Sequence, residues 1–189
     1  MTAKLTPKEN LLADAIAYFA AYGIGDASLR SIATGLGTSH RMLIYHFGSR
    51  EGLLAEVVRT VEAQQRASLA MLADDGLPMA ERSMRLWHSV AEAALSYGHL
   101  FFELSAHAMQ GRPYTAGLKG DLIDVWLPPL TDLCVRGGID PAEAPAYARL
   151  SLAATRGLLF DLLLTGDRAG VDDAIALLHR LFLESLHSG

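Results

Sequence analysis

Apolar side chains recur at helical spacing along nearly the whole chain. Leu12, Ile16 (with Ala15 beside it) and Phe19 form a first stripe. Thr6-Pro7 ahead of it supplies an N-cap and a proline for the first helical position. Gly23 and Gly25 are expected to end that helix. Ser28 then caps a very short segment, LRSIATGL, in which Leu29, Ile32, Ala33 and Leu36 share a face. Gly37 permits a sharp turn, and Ser39 caps a second short segment, HRMLIYHF, whose Leu43, Ile44 and Phe47 are expected to face the preceding helices. Gly48-Ser49 closes it, and Ser49 with Glu51 in the first turn opens a longer helix, REGLLAEVVRTVEAQQRASLAMLA.

Past Asp74 to Pro78 the spacing changes. Helices are expected over 79–96, 98–110, 114–136, 141–165 and 172–187. Pro128-Pro129 is expected to kink or split the third of these, because proline removes a backbone donor and crowds the preceding turn. Asp140-Pro141 is a start signal for the fourth. No segment alternates as a strand does. The pattern predicts an all-α chain of about nine helices.

Composition supports a packed helical protein. Half of the 189 residues are hydrophobic, which is ample material for a core. A lone cysteine, Cys134, excludes an internal disulfide and fits a reducing compartment. MTAKLTPKEN lacks the apolar stretch of a signal peptide, and no uninterrupted apolar run reaches about 18 residues. A soluble cytoplasmic protein with no membrane association is expected. Net charge is −5, which by itself argues against nucleic acid. The charge is uneven, however. Residues 1–60 hold six basic against five acidic side chains, and the excess acid lies in the remainder.

Two helices of under ten residues, joined by a Gly-containing turn, are each too short to be stable alone. Packed on a longer helix they have the layout of a helix-turn-helix, in which one helix braces on the backbone and the second lies in the major groove. On the second helix the residues not needed for packing are Thr38, Ser39, His40, Arg41, Met42 and Tyr45. They are polar, small or amphipathic and suit contact with base edges and phosphates.

The stretch SLRSIATGLGTSHRMLIYHFGSREGLL resembles the signature of the TetR family of transcriptional regulators. Ile32-Ala33, Gly37, Ser39, Leu43, His46-Phe47, Arg50-Glu51 and Leu53-Leu54 stand in register with it. The resemblance covers about residues 10–58. It implies a three-helix DNA-binding domain over 1–50 and a helical ligand-binding and dimerisation domain over 51–189. It further implies phosphate contacts from Tyr45, His46 and Arg50. The partners it implies are double-stranded operator DNA, a small-molecule effector and a second copy of the chain. The implied mechanism is a two-state shift in which effector binding misplaces the paired heads. Two departures stand out: Arg41 occupies a place that is usually small, and Ile44 one that is usually Tyr. An arginine there can pair bidentately with guanine, so base preference is the least transferable part of the likeness.

The middle helices are dense in large amphipathic residues. Met84, Trp87, His88, Phe101, Phe102, Glu103, His107 and Trp126 are candidates to line the pocket that the resemblance implies, against ordinary core packing for any one of them. Such a set suits an uncharged or weakly polar, aromatic or lipophilic effector. His99, Glu103 and His107 recur at i, i+4 and i+8, which raises a rival class, a helical-bundle enzyme or metal protein. The outer two lie about 12 Å apart along a helix, too far for one ion to take all three. The paired Glu-x-x-His motifs of bundle di-metal sites are missing, as is any nucleophile–base or phosphate-loop pattern. No cofactor and no enzymatic activity are expected.

The last two helices are the dimerisation candidates. Leu150, Ala154, Gly157, Leu158 and Asp161 lie along a broad face of one, and Ile175, Leu178 and Phe182 along the other. Two such helices from each subunit would make a four-helix interface and space two heads for two half-sites. Intrachain packing is the plainer alternative.

Overall fold

A computed structural model describes residues 5–23, 27–73 and 78–186 of the chain, apart from 117 and 119. Among the described residues there are eight α-helices and no strand. The first four are α1 (Pro7–Tyr22), α2 (Leu29–Gly35), α3 (His40–Phe47) and α4 (Arg50–Ala73). The rest are α5 (Met79–Met109), α6 (Leu127–Arg136), α7 (Ala144–Thr165) and α8 (Arg168–Leu186). A 3-10 turn (Pro113–Thr115) and a π turn (Gly120–Asp124) lie between α5 and α6.

Side-chain caps set the starts of the short helices. Thr6 and Glu9 make a reciprocal capping box on α1. Ser28 Oγ accepts from Ser31 N at 3.2 Å, Ser39 Oγ from Met42 N at 3.2 Å, and Ser49 Oγ from Gly52 N at 3.0 Å. Each satisfies an otherwise orphaned donor, and α2 and α3, of seven and eight residues, have few bonds of their own. Gly37, at φ 62°, makes the turn from α2 to α3. The end of α1 is capped by Gly23; Gly25 lies outside the described residues.

Four expectations from the sequence are corrected. The helices expected over 79–96 and 98–110 are one, α5, which runs through Gly98. A single glycine weakens a helix by about 1 kcal/mol without ending it. Here it lies against the side chain of Leu163 on α7, whose Cδ1 would have to shift to admit a Cβ. The region 114–136 divides into the two turns and α6, and Pro128-Pro129 sits at the start of α6, where missing donors cost nothing. α7 starts at Ala144, after a turn in which Asp140 Oδ1 accepts from Ala142 N at 2.7 Å. α8 starts at Arg168 rather than 172, since Asp167 Oδ1 takes the Gly170 N–H at 2.9 Å.

The largest apolar cluster joins Leu12, Ala15 and Phe19 of α1 to Ile32, Leu43 and Phe47, and to Leu53, Leu54, Val57 and Val58 of α4. Leu100 and Leu104 of α5 complete it, so the core of the N-terminal head runs on past residue 50 and meets the body. A second cluster binds α5, α7 and α8 through Trp87, Ala91, Leu159, Leu162, Val171 and Ile175. A third gathers Trp126 and Leu152 with Leu130 and Leu133 at the α6–α7 contact. Among the described residues no helix is long and apolar enough to cross a membrane.

Candidate DNA interface and ligand cavity

α3 is held from beneath and open above. Leu43 and Phe47 point into the head's core, while His40, Arg41, Met42 and Tyr45 are exposed, Tyr45 at 79%. Ser39 is engaged as the N-cap, and Thr38, half-buried, donates its backbone N–H to Ala33 O at 2.9 Å within the turn. Arg41 and Tyr45 are one helical turn apart and share the outer face. Ile44 corrects the reading of the sequence: it is 41% exposed and lies beside the outer face rather than in the core. Ile44 stands about 100° round the helix from Leu43, at the edge of the buried stripe.

Two residues with expected phosphate roles are engaged within the protein. The ring of His46 packs between Tyr45, at 4.9 Å edge to face, and Phe47, at 6.1 Å, and its Nε2 is buried without a hydrogen-bond partner. Arg50 donates from Nε to the carbonyl of Ala27 at 2.9 Å, bracing the approach to α2 against α4. Lys8 on α1 reaches Glu56 on α4 at 3.7 Å and lies over the Phe47 ring.

A cavity of about 230 Å³ opens between α4, α5, α6, α7 and α8. Of the sequence candidates, Trp87, Phe101, Phe102 and Trp126 line it. Met84 packs against the second core cluster, His88 is exposed, and Glu103 and His107 are half-buried on α5 away from the lining. Among the described residues no group of three His, Cys, Asp or Glu side chains is placed to hold a metal ion.

The polar groups of the cavity escaped the sequence reading. Glu62 of α4 accepts from Trp126 Nε1 at 2.6 Å and stands 3.4 Å from Arg156 Nη2 of α7. Burial raises the carboxyl of Glu62 above its ordinary range, against the pull of Arg156, Trp126 and Arg66. Burial likewise lowers Arg156. On α8, His179 Nδ1 lies 3.1 Å from Ser83 Oγ, and burial depresses its basicity. Trp87 Nε1 donates to Asp172, itself bound by Arg168. The available signal was a charge in line with a buried stripe: Leu54, Val58 and Glu62 on α4, or Leu152, Arg156 and Leu159 on α7.

Of the expected dimer residues, Leu150, Gly157 and Asp161 face outward, and Ala154, Leu158 and Leu178 are half-buried. Ile175 is only 1% exposed, inside the subunit's own core, and Phe182 lines the cavity with its ring 5.1 Å from that of Tyr147. Outward-facing Phe160, Leu164, Leu177 and Leu181 extend the apolar surface of α7 and α8.

Residues 11–57 match the family model of the bacterial regulatory proteins, tetR family. No curated protein matches the chain by sequence. Among solved structures, a TetR transcriptional regulator from Legionella pneumophila is similar at TM-score 0.75 and 20% identity, over 94% of this chain and 99% of that one. A transcriptional regulator from Rhodococcus sp. Rha1 is similar at TM-score 0.76 and 20% identity, over 95% and 97%. A regulator from Saccharomonospora viridis in complex with choline is similar at TM-score 0.70 and 21% identity, over 94% and 95%.

Proposed function

We propose that this chain, whose residues 11–57 match the family model of the bacterial regulatory proteins, tetR family, is a ligand-responsive repressor of that family, a homodimer released from a palindromic operator by a small lipophilic or aromatic effector. On this reading Thr38, Ser39, His40, Arg41, Met42 and Tyr45 meet the major groove, with Arg41 reading a guanine and Tyr45 and Arg50 placed at phosphates. His46, its Nε2 turned inward, supports Tyr45 from below. The outer faces of α7 and α8 pair with their copies.

One observation carries the reading. α4 contributes Leu53 and Leu54 to the core of the head and, one and two turns on, Val58 and Glu62 to the wall of the cavity. A ligand that repositions this wall acts on the helix that carries the head. By linkage, an effector that weakens DNA binding binds the DNA complex less tightly by the same factor. The choline held by the similar Saccharomonospora viridis structure supports small-molecule occupancy of this architecture.

The test is selection from a random double-stranded DNA pool with the purified full-length protein, followed by gel shift. An enriched inverted repeat is expected. Recovery of no motif above non-specific binding would overturn the reading.

A further inference from the structure

At the α4 side of the cavity, positive charge outnumbers negative. The carboxylate of Glu62 is faced there by two guanidiniums, Arg156 of α7 and Arg66 of α4. Arg66, one turn beyond Glu62 on α4, lies over the Trp126 ring at 6.0 Å, and its Nη1 is buried without a hydrogen-bond partner. Arg156 sits over the Phe101 ring at 5.1 Å and donates to the carbonyl of Leu122. Its 3.4 Å approach to Glu62 is long beside the roughly 2.7–2.9 Å of a closed charge-assisted bond.

That arrangement discriminates between ligand charges. A cation would enter beside guanidiniums, where the Phe101 ring is already covered by Arg156. A neutral molecule would leave the excess cation uncompensated in an apolar surround. An anion completes the pairing.

Resting on the reading of this cavity as the effector site, we propose that the effector is a small lipophilic acid whose carboxylate takes Arg156 while Glu62 turns to the unpartnered Nη1 of Arg66. Its alkyl or arylalkyl body lies among Trp87, Phe102 and Leu159, and the cavity volume suits on the order of ten non-hydrogen atoms. Glu62 and Arg66 stand at i and i+4 with the acid N-terminal, the favoured order for a pair within one helix. The exchange replaces a tether between α4 and α7 by a bond internal to α4, and so frees the helix that carries the head. The raised carboxyl of Glu62 shows that its present partners compensate its charge incompletely.

Octanoate, 1-octanol and octyltrimethylammonium, which share a tail and differ in head group, are titrated into the full-length protein and followed by tryptophan fluorescence and calorimetry. Octanoate is expected to bind roughly tenfold or more tighter than octanol, and the ammonium weakest. Arg156→Met is expected to abolish the preference for the acid while octanol still binds. Glu62→Gln keeps an acceptor for Trp126 and removes the competitor for Arg156, so it is expected to tighten octanoate; it decides the matter should Arg156→Met not fold. If octanol or the ammonium matches octanoate, or Glu62→Gln weakens the acid, this proposal falls and the effector cavity stands. If none of the three binds, both fall.

Discussion

Arg50 Nε donates to the carbonyl oxygen of Ala27 at 2.9 Å, tying the first turn of α4 to the residue before the α2 cap. The same guanidinium is the one proposed at a DNA phosphate, so its two roles must be separated. Arg50→Ala is expected to lower stability by about 1–2 kcal/mol through the lost bond. It should also weaken binding to all DNA sequences alike and reduce the salt slope by about 1. Arg50→Lys keeps the charge without Nε, so it should lose stability yet retain the salt slope. Thermal melting beside salt-dependent binding reads both, and a lysine variant that melts like the parent would remove the bracing role.

Arg41 makes a different demand. It is exposed on α3, one turn from Tyr45, and no hydrogen bond of the head engages its side chain among those described. Arg41→Ala is expected to leave the melting temperature unchanged and to relax preference at one base pair per half-site, by about 1–3 kcal/mol. Comparing sequences selected by the two proteins measures it. A uniform loss across all positions would instead make Arg41 a phosphate ligand.

Much of the head was legible because its signals are local. Thr6, Ser28, Ser39 and Ser49 each sit directly before a periodic run, and each is found capping the helix it precedes. Ile44 was misplaced because apolar character alone does not distinguish a core position from an amphipathic contact face. The body was harder. Gly98 is a helix breaker by propensity, yet its place against Leu163 is fixed by a neighbour 65 positions away in the sequence. The Glu62–Trp126–Arg156 cluster likewise joins α4, the start of α6 and α7, and spacing within any one helix cannot reveal it.

The dimer proposal separates two faces of the last helices. Leu164 is 70% exposed on α7, whereas Ile175 on α8 is buried against Trp87 and Leu159. Leu164→Glu is expected to leave the fold intact and shift the protein to monomer in sedimentation or size-exclusion measurements. Ile175→Ala should instead cost about 2–5 kcal/mol of stability through the cavity it opens. A Leu164→Glu protein that remains dimeric would move the interface elsewhere.

His179 gives the acid limb of the stability profile a specific source. Its Nδ1 lies 3.1 Å from Ser83 Oγ, and burial holds the imidazole below its ordinary value of about 6.5, so the native ring is neutral. The unfolded chain takes up the proton first as pH falls. Its contribution is therefore undiminished above the unfolded value and is lost progressively as pH drops below it toward the native one. Melting of the parent between about pH 7.5 and about pH 5 should fall more steeply than that of His179→Gln, which cannot titrate but can still bond to Ser83. Asp172 adds a loss only at lower pH. Burial works to raise its carboxyl, but hydrogen bonds from Trp87 and Arg168 hold it below the usual carboxylate range. Parallel slopes for parent and variant would mean that the native ring accepts its proton as readily as the unfolded one.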